Sequence, residues 1–221
     1  MRKKYESNRQ LERQSHILAT ARAMLSELGY SRTTMRNLAE RAGVVPATLY
    51  NLYGGKDELF LAALDSLLDE LRVEALASNP QPGVDAILSL VASSGRTSGA
   101  SPGYAEALAR SLFNLKRDDP AVDALYARAR PFFLEHMKKA QSQGQLVPGV
   151  EIEIISDHLV GQGWSVIWSW LMGLTERANL AREYERSYLM TLISVTTGET
   201  NARLRSRFDQ LVVQTNRIST P

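Results

Sequence analysis

Residues 34–56 hold side chains suited to gripping a polyanion. Arg36, Thr48 and Asn51 each carry a hydrogen-bond donor. An arginine can pair at two points with a guanine edge, the commonest specific contact to duplex DNA, or it can reach a phosphate. Asn51 can bond a base or a phosphate. Between them Val45, Pro46, Ala47 and Thr48 are small and mostly apolar. Such residues could meet thymine methyl groups and let a helix sit deep in a groove. This is the chemistry of recognition rather than of bond-making. His16, His136 and His158 are the only histidines and stand far apart in sequence. Asp157 and His158, though adjacent, face different sides of their helix. No HxxxH, phosphate-binding loop or dinucleotide fingerprint is present, so the residues point away from an enzyme.

These donors need rigid carriers. A short helix is expected over residues 35–41, with Leu38 and Ala39 turned inward. Thr34 is a good N-cap for it, because its hydroxyl can accept from a free N–H. Gly43 supplies the turn, since glycine alone takes a left-handed backbone without steric cost. Pro46 opens a second helix at its first position, where the missing N–H is not needed. That helix runs to residue 52 or 53, with Leu49, Leu52 and Tyr53 as its core side. Gly54-Gly55 and a third helix from Lys56 follow. This is the layout of a helix-turn-helix, whose second helix enters the DNA major groove.

Bulk composition agrees. The chain has 221 residues, 44 % apolar and 23 % charged, with a net charge of +2. The charge is uneven: residues 1–60 hold ten Lys and Arg against six Asp and Glu, a net of +4, and the remainder holds sixteen against eighteen, a net of −2. A basic end on a near-neutral body suits contact with a polyanion at that end. The absence of cysteine removes disulfides and thiolate chemistry and fits a reducing, cytoplasmic setting. The N-terminal charges have no apolar core behind them, so a signal peptide is not expected. The most apolar run, residues 159–174, is shorter than the ~20 residues of a membrane span. It includes Gln162, Ser165 and Ser169, and reads as a buried helix. No membrane partner is expected.

Helical spacing recurs along the whole chain and sustained strand alternation nowhere, which gives an all-α expectation of nine or ten helices. Residues 1–10 read as a flexible basic N-terminus. Residues 11–60 form the DNA-binding head, with a first helix over 11–28 stopped by Gly29. Residues 61–198 form the body, and 199–221 a tail that weakly repeats helical spacing. The helix from Lys56 is expected to reach residue 77, and another to cover 84–93. Residues 93–103, SSGRTSGASPG, read as a flexible loop. Helices over 104–115, 121–143, 152–173 and 180–197 follow, with a bend expected at Pro131.

Once these residues are set in order, residues 13–63 resemble the N-terminal domain of TetR-type (tetracycline-repressor-like) transcriptional regulators. The resemblance is carried by Ile17, Ala21, Leu25 and Gly29, then Thr34, Arg36, Leu38, Ala39, Ala42, Gly43 and Val44, then Thr48, Leu49, Tyr50 and Tyr53, then Lys56, Asp57, Glu58 and Leu59. It implies an N-terminal helix-turn-helix domain before a larger helical domain for ligand binding and dimerisation. It also implies phosphate contacts from Thr34, Tyr50 and Lys56. In one departure, Val45 stands where such proteins often carry a capping Ser. Valine cannot cap, and Pro46 partly compensates by fixing the backbone for helix entry.

The expected partners are a double-stranded DNA operator, a second copy of the chain and a small-molecule effector. No cofactor or metal is expected. One recognition helix covers only a few base pairs, so two copies about 34–36 Å apart would read a palindrome. Gly161, Ser165, Ser169 and Gly173 form a ridge of small residues at steps of four, along which two helix backbones could approach. With Tyr188 and Leu192 of the next helix they are the candidate dimer interface. The family likeness places an effector pocket among the middle helices, with Tyr104, Phe113, Phe133, Met137, Trp164 and Trp168 as candidate lining residues.

Overall fold

The computed structural model describes residues 2–100, 103, 105–106 and 120–218. Among these the chain is helical, with one isolated β-bridge between Leu146 and Thr196. The helices are α1 (Arg2–Arg32), α2 (Met35–Arg41), α3 (Pro46–Tyr53), α4 (Lys56–Ala77), α5 (Val84–Ala100), α6 (Pro120–Ser142), α7 (Ile152–Leu171), α8 (Leu180–Val195) and α9 (Gly198–Ile218). A single 3₁₀ turn, Arg177–Asn179, precedes α8. Within this set no helix is long and apolar enough to cross a membrane. Apart from residues 105–106, which are helical, the expected helix over 104–115 lies outside the described residues.

The chain divides into two compact units: Met1–Glu70 with Ser101–Leu125, and Leu71–Ala100 with Tyr126–Pro221. The division falls inside α4. In the first unit, Ile17, Ala21, Met24 and Leu25 of α1 form a core with Met35, Leu38 and Ala39 of α2, Leu49 of α3, and Leu59, Phe60 and Ala63 of α4. In the second unit α8 is the central element: it packs against α5, α7 and α9. Tyr188 is buried there and its hydroxyl donates to the Leu159 carbonyl at 2.8 Å. Burial pushes the Tyr184 hydroxyl up to about 12, and that of Tyr188 further still.

Several expectations are corrected. The N-terminal segment 1–10, read as a flexible arm, is helical from Arg2 onward. The first helix is interrupted at Gly29 (φ 73°), as expected, but a further turn continues to Arg32. The helical spacing read in the tail, by contrast, agrees with α9, which runs to Ile218. Its Leu204 and Leu211 are buried, and Arg207 pairs with Glu185 of α8 while Arg203 pairs with Asp85 of α5.

The largest correction is at the Ser/Gly-rich stretch. Residues 93–100 are not a loop: α5 runs through them to Ala100. Ser93 is fully buried, and Ser94 donates back to the Leu90 carbonyl at 2.9 Å. Gly95 lets α5 and α8 touch, because a Cβ there would lie 2.8 Å from Ala181 Cα. A Gly95→Ala variant is therefore expected to lose stability, since the clash, of order 1–3 kcal/mol, outweighs the helix-propensity gain. At Gly99 in the same helix, a Cβ would meet no atom within 4 Å. Gly99→Ala is expected to gain up to about 1 kcal/mol. Denaturant midpoints of the two variants should move in opposite directions.

The start of α5 is capped by side chains from a distant part of the chain. Gly83 N–H donates to His136 Nδ1 at 3.3 Å, and Val84 N–H to Gln145 Oε1 at 3.3 Å. His136 is buried against the Phe132 ring, 4.5 Å between centroids. Burial holds its pKa below the ordinary histidine value. Glu135 opposes that shift and Lys139 adds to it. The folded state thus prefers the neutral ring, whose Nδ1 can accept the Gly83 proton. This contribution to stability is present above the ordinary histidine pKa, about 6.5, and is lost as pH falls below it. The unfolding midpoint of the wild type should drop between pH 7.5 and 5 by more than that of His136→Gln.

Candidate nucleic-acid interface

Thr34 takes an extended backbone (φ −118°, ψ 156°) and caps α2. Its hydroxyl accepts from Asn37 N–H at 3.2 Å, and Asn37 Oδ1 accepts from Thr34 N–H at 2.7 Å. This reciprocal box satisfies two of the free N–H groups that every helix start leaves. Asn37 also donates to the Arg32 carbonyl at 3.0 Å, which ties the box to the end of α1. A bidentate pair between Arg41 and Glu27, at 2.5 and 2.6 Å, braces α2 on α1. The Glu27 carboxyl is held low and the Arg41 guanidinium high, each chiefly by that hydrogen bond.

The turn closes through Ala42 N–H to the Leu38 carbonyl and Val44 N–H to the Ala39 carbonyl, both at 2.9 Å. Gly43 sits at φ 65° between them. Val45 is the N-cap of α3, makes no side-chain cap bond and is 64 % exposed. Pro46 opens the helix. Leu49 fixes the helix to the core with no exposed surface. The opposite side therefore faces outward: Val45, Pro46, Ala47, Tyr50 and Asn51 are exposed or nearly so and Thr48 is half-buried. Arg36, in the first turn of α2, is exposed as well. Donors, apolar groups and an aromatic hydroxyl thus share a short helix that is held by a single buried anchor.

Lys56 is placed differently from an outward-pointing anchor. Its ammonium is partly buried, donates to the Tyr30 carbonyl at 2.6 Å and lies 3.8 Å from the centre of the Tyr30 ring. Burial lowers its pKa, and Asp57 opposes that. Asp57 in turn accepts from the Tyr30 hydroxyl, whose pKa burial and this bond push up to about 12. Lys56 and Asp57 so lock the start of α4 to the corner after α1. One basic residue that sequence reasoning left out stands beside α3: Arg13 of α1 donates from Nη2 to Thr48 Oγ1 at 3.4 Å.

The candidates in the body separate. Tyr104 and Phe113 lie outside the described residues. Phe133 and Met137 are buried, with the Phe133 ring stacked on Tyr188 at 6.1 Å. Trp164 is half-buried and Trp168 is 42 % exposed. A cleft of about 460 Å³ opens elsewhere, lined by Gly95, Arg96, Gly99, Arg177, Ala178 and Ala181, and contains none of these residues. Of the dimer candidates, Ser165 and Gly173 are exposed, and Gly161 and Ser169 half-buried. Tyr188 (4 %) and Leu192 (0 %) are buried within the chain. The outward apolar side chains of these helices are Ile154 and Trp168 of α7 and Met190 of α8, with Met172 just after α7. Among the described residues no cluster of His, Asp or Glu could hold a metal ion.

With this geometry in view, residues 17–63 match the family described as bacterial regulatory proteins, tetR family. The chain is 39 % identical over 77 residues to the HTH-type transcriptional repressor KstR of Rhodococcus jostii, covering 35 % of each protein. It is 33 % identical over 66 residues to the HTH-type transcriptional regulator BetI of Rhizobium meliloti, covering 30 % of this chain and 32 % of that one. The match thus spans about a third of the length of these relatives. Thermus thermophilus FadR, a TetR-family transcriptional repressor solved in complex with lauroyl-CoA, has the same fold. Its TM-score is 0.64 at 20 % identity, covering 84 % of this chain and 96 % of that one. A TetR transcriptional regulator from Rhodococcus sp. RHA1 gives 0.63 at 22 % identity, covering 83 % and 98 %. At these identities the likeness is one of fold.

Proposed function

We propose that this chain, whose residues 17–63 match the tetR family of bacterial regulatory proteins, is a ligand-responsive repressor of that family that binds a palindromic operator as a homodimer in the cytoplasm. The observation that carries this reading is the outward row on α3, Val45, Pro46, Ala47, Tyr50 and Asn51, set over the buried Leu49 and beside Arg36. In this reading α3 lies in the major groove. Val45, Pro46 and Ala47 meet apolar base edges, while Arg36, Thr48 and Asn51 supply hydrogen bonds. Thr34 and Tyr50 hold phosphates and fix the register, while Lys56 acts by holding the start of α4 against Tyr30.

The head is residues 11–60 and the body residues 61–198, with α9 added to the body. Pairing runs through α7 and α8, whose exposed Ser165, Trp168 and Met190, with Gly173 just beyond α7, would make half of a four-helix bundle about a two-fold axis. Phe133, Met137 and Trp164 belong to the effector-sensing body. The cleft at the end of α5 is of a size that takes a small molecule, and Arg177 favours an anionic one, Arg96 being paired with Glu74. An effector acts by preferring a dimer geometry that DNA does not, and weakens operator binding by its differential affinity for the two states.

The test begins with selection of bound duplexes from a random pool by the wild-type protein. The selected sequence should be a palindrome. Arg36→Ala should then weaken binding to it by about 5- to 150-fold, the worth of one bidentate base contact, while sedimentation shows an intact dimer. Undiminished affinity in Arg36→Ala would remove Arg36 from the interface, and a pool that yields no preferred sequence would overturn the regulator reading.

A further inference from the structure

The side of the head that carries α3 also carries the first third of α1. From Arg9 onward, Ile17 is the first α1 side chain that is buried, and the helix backbone runs unbroken from it to Arg2. Between Arg9 and Arg13 every side chain is exposed, including Leu11 at 60 %. Residues 9–13 of α1 therefore overhang the head outside its core. Its sequence is basic: Arg2, Lys3, Lys4, Arg9 and Arg13 stand against Glu6 and Glu12. At 100° per residue, positions 2, 9 and 13 fall on one helix face, shared with position 6. The bond from Arg13 to Thr48 sets the Arg13 guanidinium beside the first turn of the recognition helix.

We infer that this overhang is a second DNA-binding element, in which Arg9 and Arg13 hold backbone phosphates beside the groove that α3 occupies. The inference rests on the DNA-binding reading above. It follows from size and charge. A major groove about 12 Å wide admits one helix of about 10–12 Å diameter. With α3 in the groove, a helix alongside it meets the groove wall, which is the phosphate backbone. Guanidinium groups suit phosphate through paired N–H donors. The contact adds affinity without adding sequence preference.

Salt dependence separates this role from base reading. Each neutralised phosphate contributes about 0.9 to the slope of log affinity against log salt. The measurement uses the full-length protein, the duplex it selects from a random pool, and a scrambled duplex of equal length. In Arg9→Gln/Arg13→Gln the slope should become shallower by about 2. Affinity for the selected and scrambled duplexes should fall by a similar factor, and the preferred sequence should stay the same. Both positions are exposed, so circular dichroism and sedimentation should match the wild type. An unchanged slope would overturn the inference and leave the reading of α3 intact. A changed preferred sequence would also overturn it, by making these arginines base readers. A wild-type protein without salt-dependent DNA binding would overturn both readings together.

Discussion

Leu49→Ala is expected to melt the head of this protein while leaving the outer face of α3 chemically unchanged. Leu49 has no exposed surface and is the only buried residue of its eight-residue helix. Its neighbours in the core come from three other helices. Truncating a buried leucine costs about 2–5 kcal/mol, because the transfer energy of the lost atoms and the cavity both count. That is a large share of the ~5–15 kcal/mol that stabilises a typical domain. For a domain of this size each kcal/mol shifts the midpoint by roughly 4–8 °C, so a fall of roughly 8–40 °C is expected. The chain offers a way to see the two units apart. All three tryptophans, Trp164, Trp168 and Trp170, lie in the second unit, while the head has only tyrosine and phenylalanine. Circular dichroism should therefore show an early loss of helix that tryptophan emission does not follow. Tyr50→Ala, one residue along and exposed, should stay within about 0.5 kcal/mol of wild type yet lose operator affinity. Equal thermal shifts in the two variants would show that α3 is not held as described.

The contrast between Leu49 and Tyr50 was legible in the sequence because the signals that place α3 are local. A capping threonine, a turn glycine and a proline at the helix start lie within a few residues of one another. Each acts on its own backbone, so no distant partner is needed to interpret it. The body offers no such closure. Ser93, Ser94, Gly95 and Gly99 have the composition of a loop, and the close packing of their helix at Gly95 depends on Ala181, far along the chain. Tyr188 and Leu192 mark the apolar stripe of α8 correctly, but a stripe does not say which neighbour covers it. Tyr188 is covered by the Phe133 ring of α6 and bonded to Leu159 of α7, and α8 as a whole packs on α5, α7 and α9. Arg13 was missed for the same reason, since nothing in its own surroundings points to Thr48. Lys56 carried the signal of a surface cation, whereas its environment is set by Tyr30 and Phe60, at 3.8 and 5.9 Å from the ammonium to the ring centres.

If α7 and α8 form the pairing surface, Trp168→Glu should have the largest effect of any exposed substitution. Trp168 keeps 42 % of its surface exposed on α7, and Met190 of α8 keeps 59 %. A tryptophan presents roughly 150–250 Å², so about 100 Å² of it remains to be covered by a partner. At about 25 cal/mol per Å² that burial is worth roughly 2.5 kcal/mol. Two-fold symmetry places the residue in the interface twice, for roughly 5 kcal/mol per dimer. A buried, unpaired carboxylate adds to the loss. Since each ~1.4 kcal/mol is tenfold, the dimer dissociation constant should rise by about three orders of magnitude or more. The protomer itself should stay folded, because the substituted group faces outward. Operator binding should then become steeply dependent on protein concentration, since a palindrome rewards only the paired form. Raising the protein concentration should recover part of it, which Leu49→Ala cannot do at temperatures where its head is unfolded. A Trp168→Glu protein that sediments as the wild type does, over the same concentration range, would place the two-fold axis on another face.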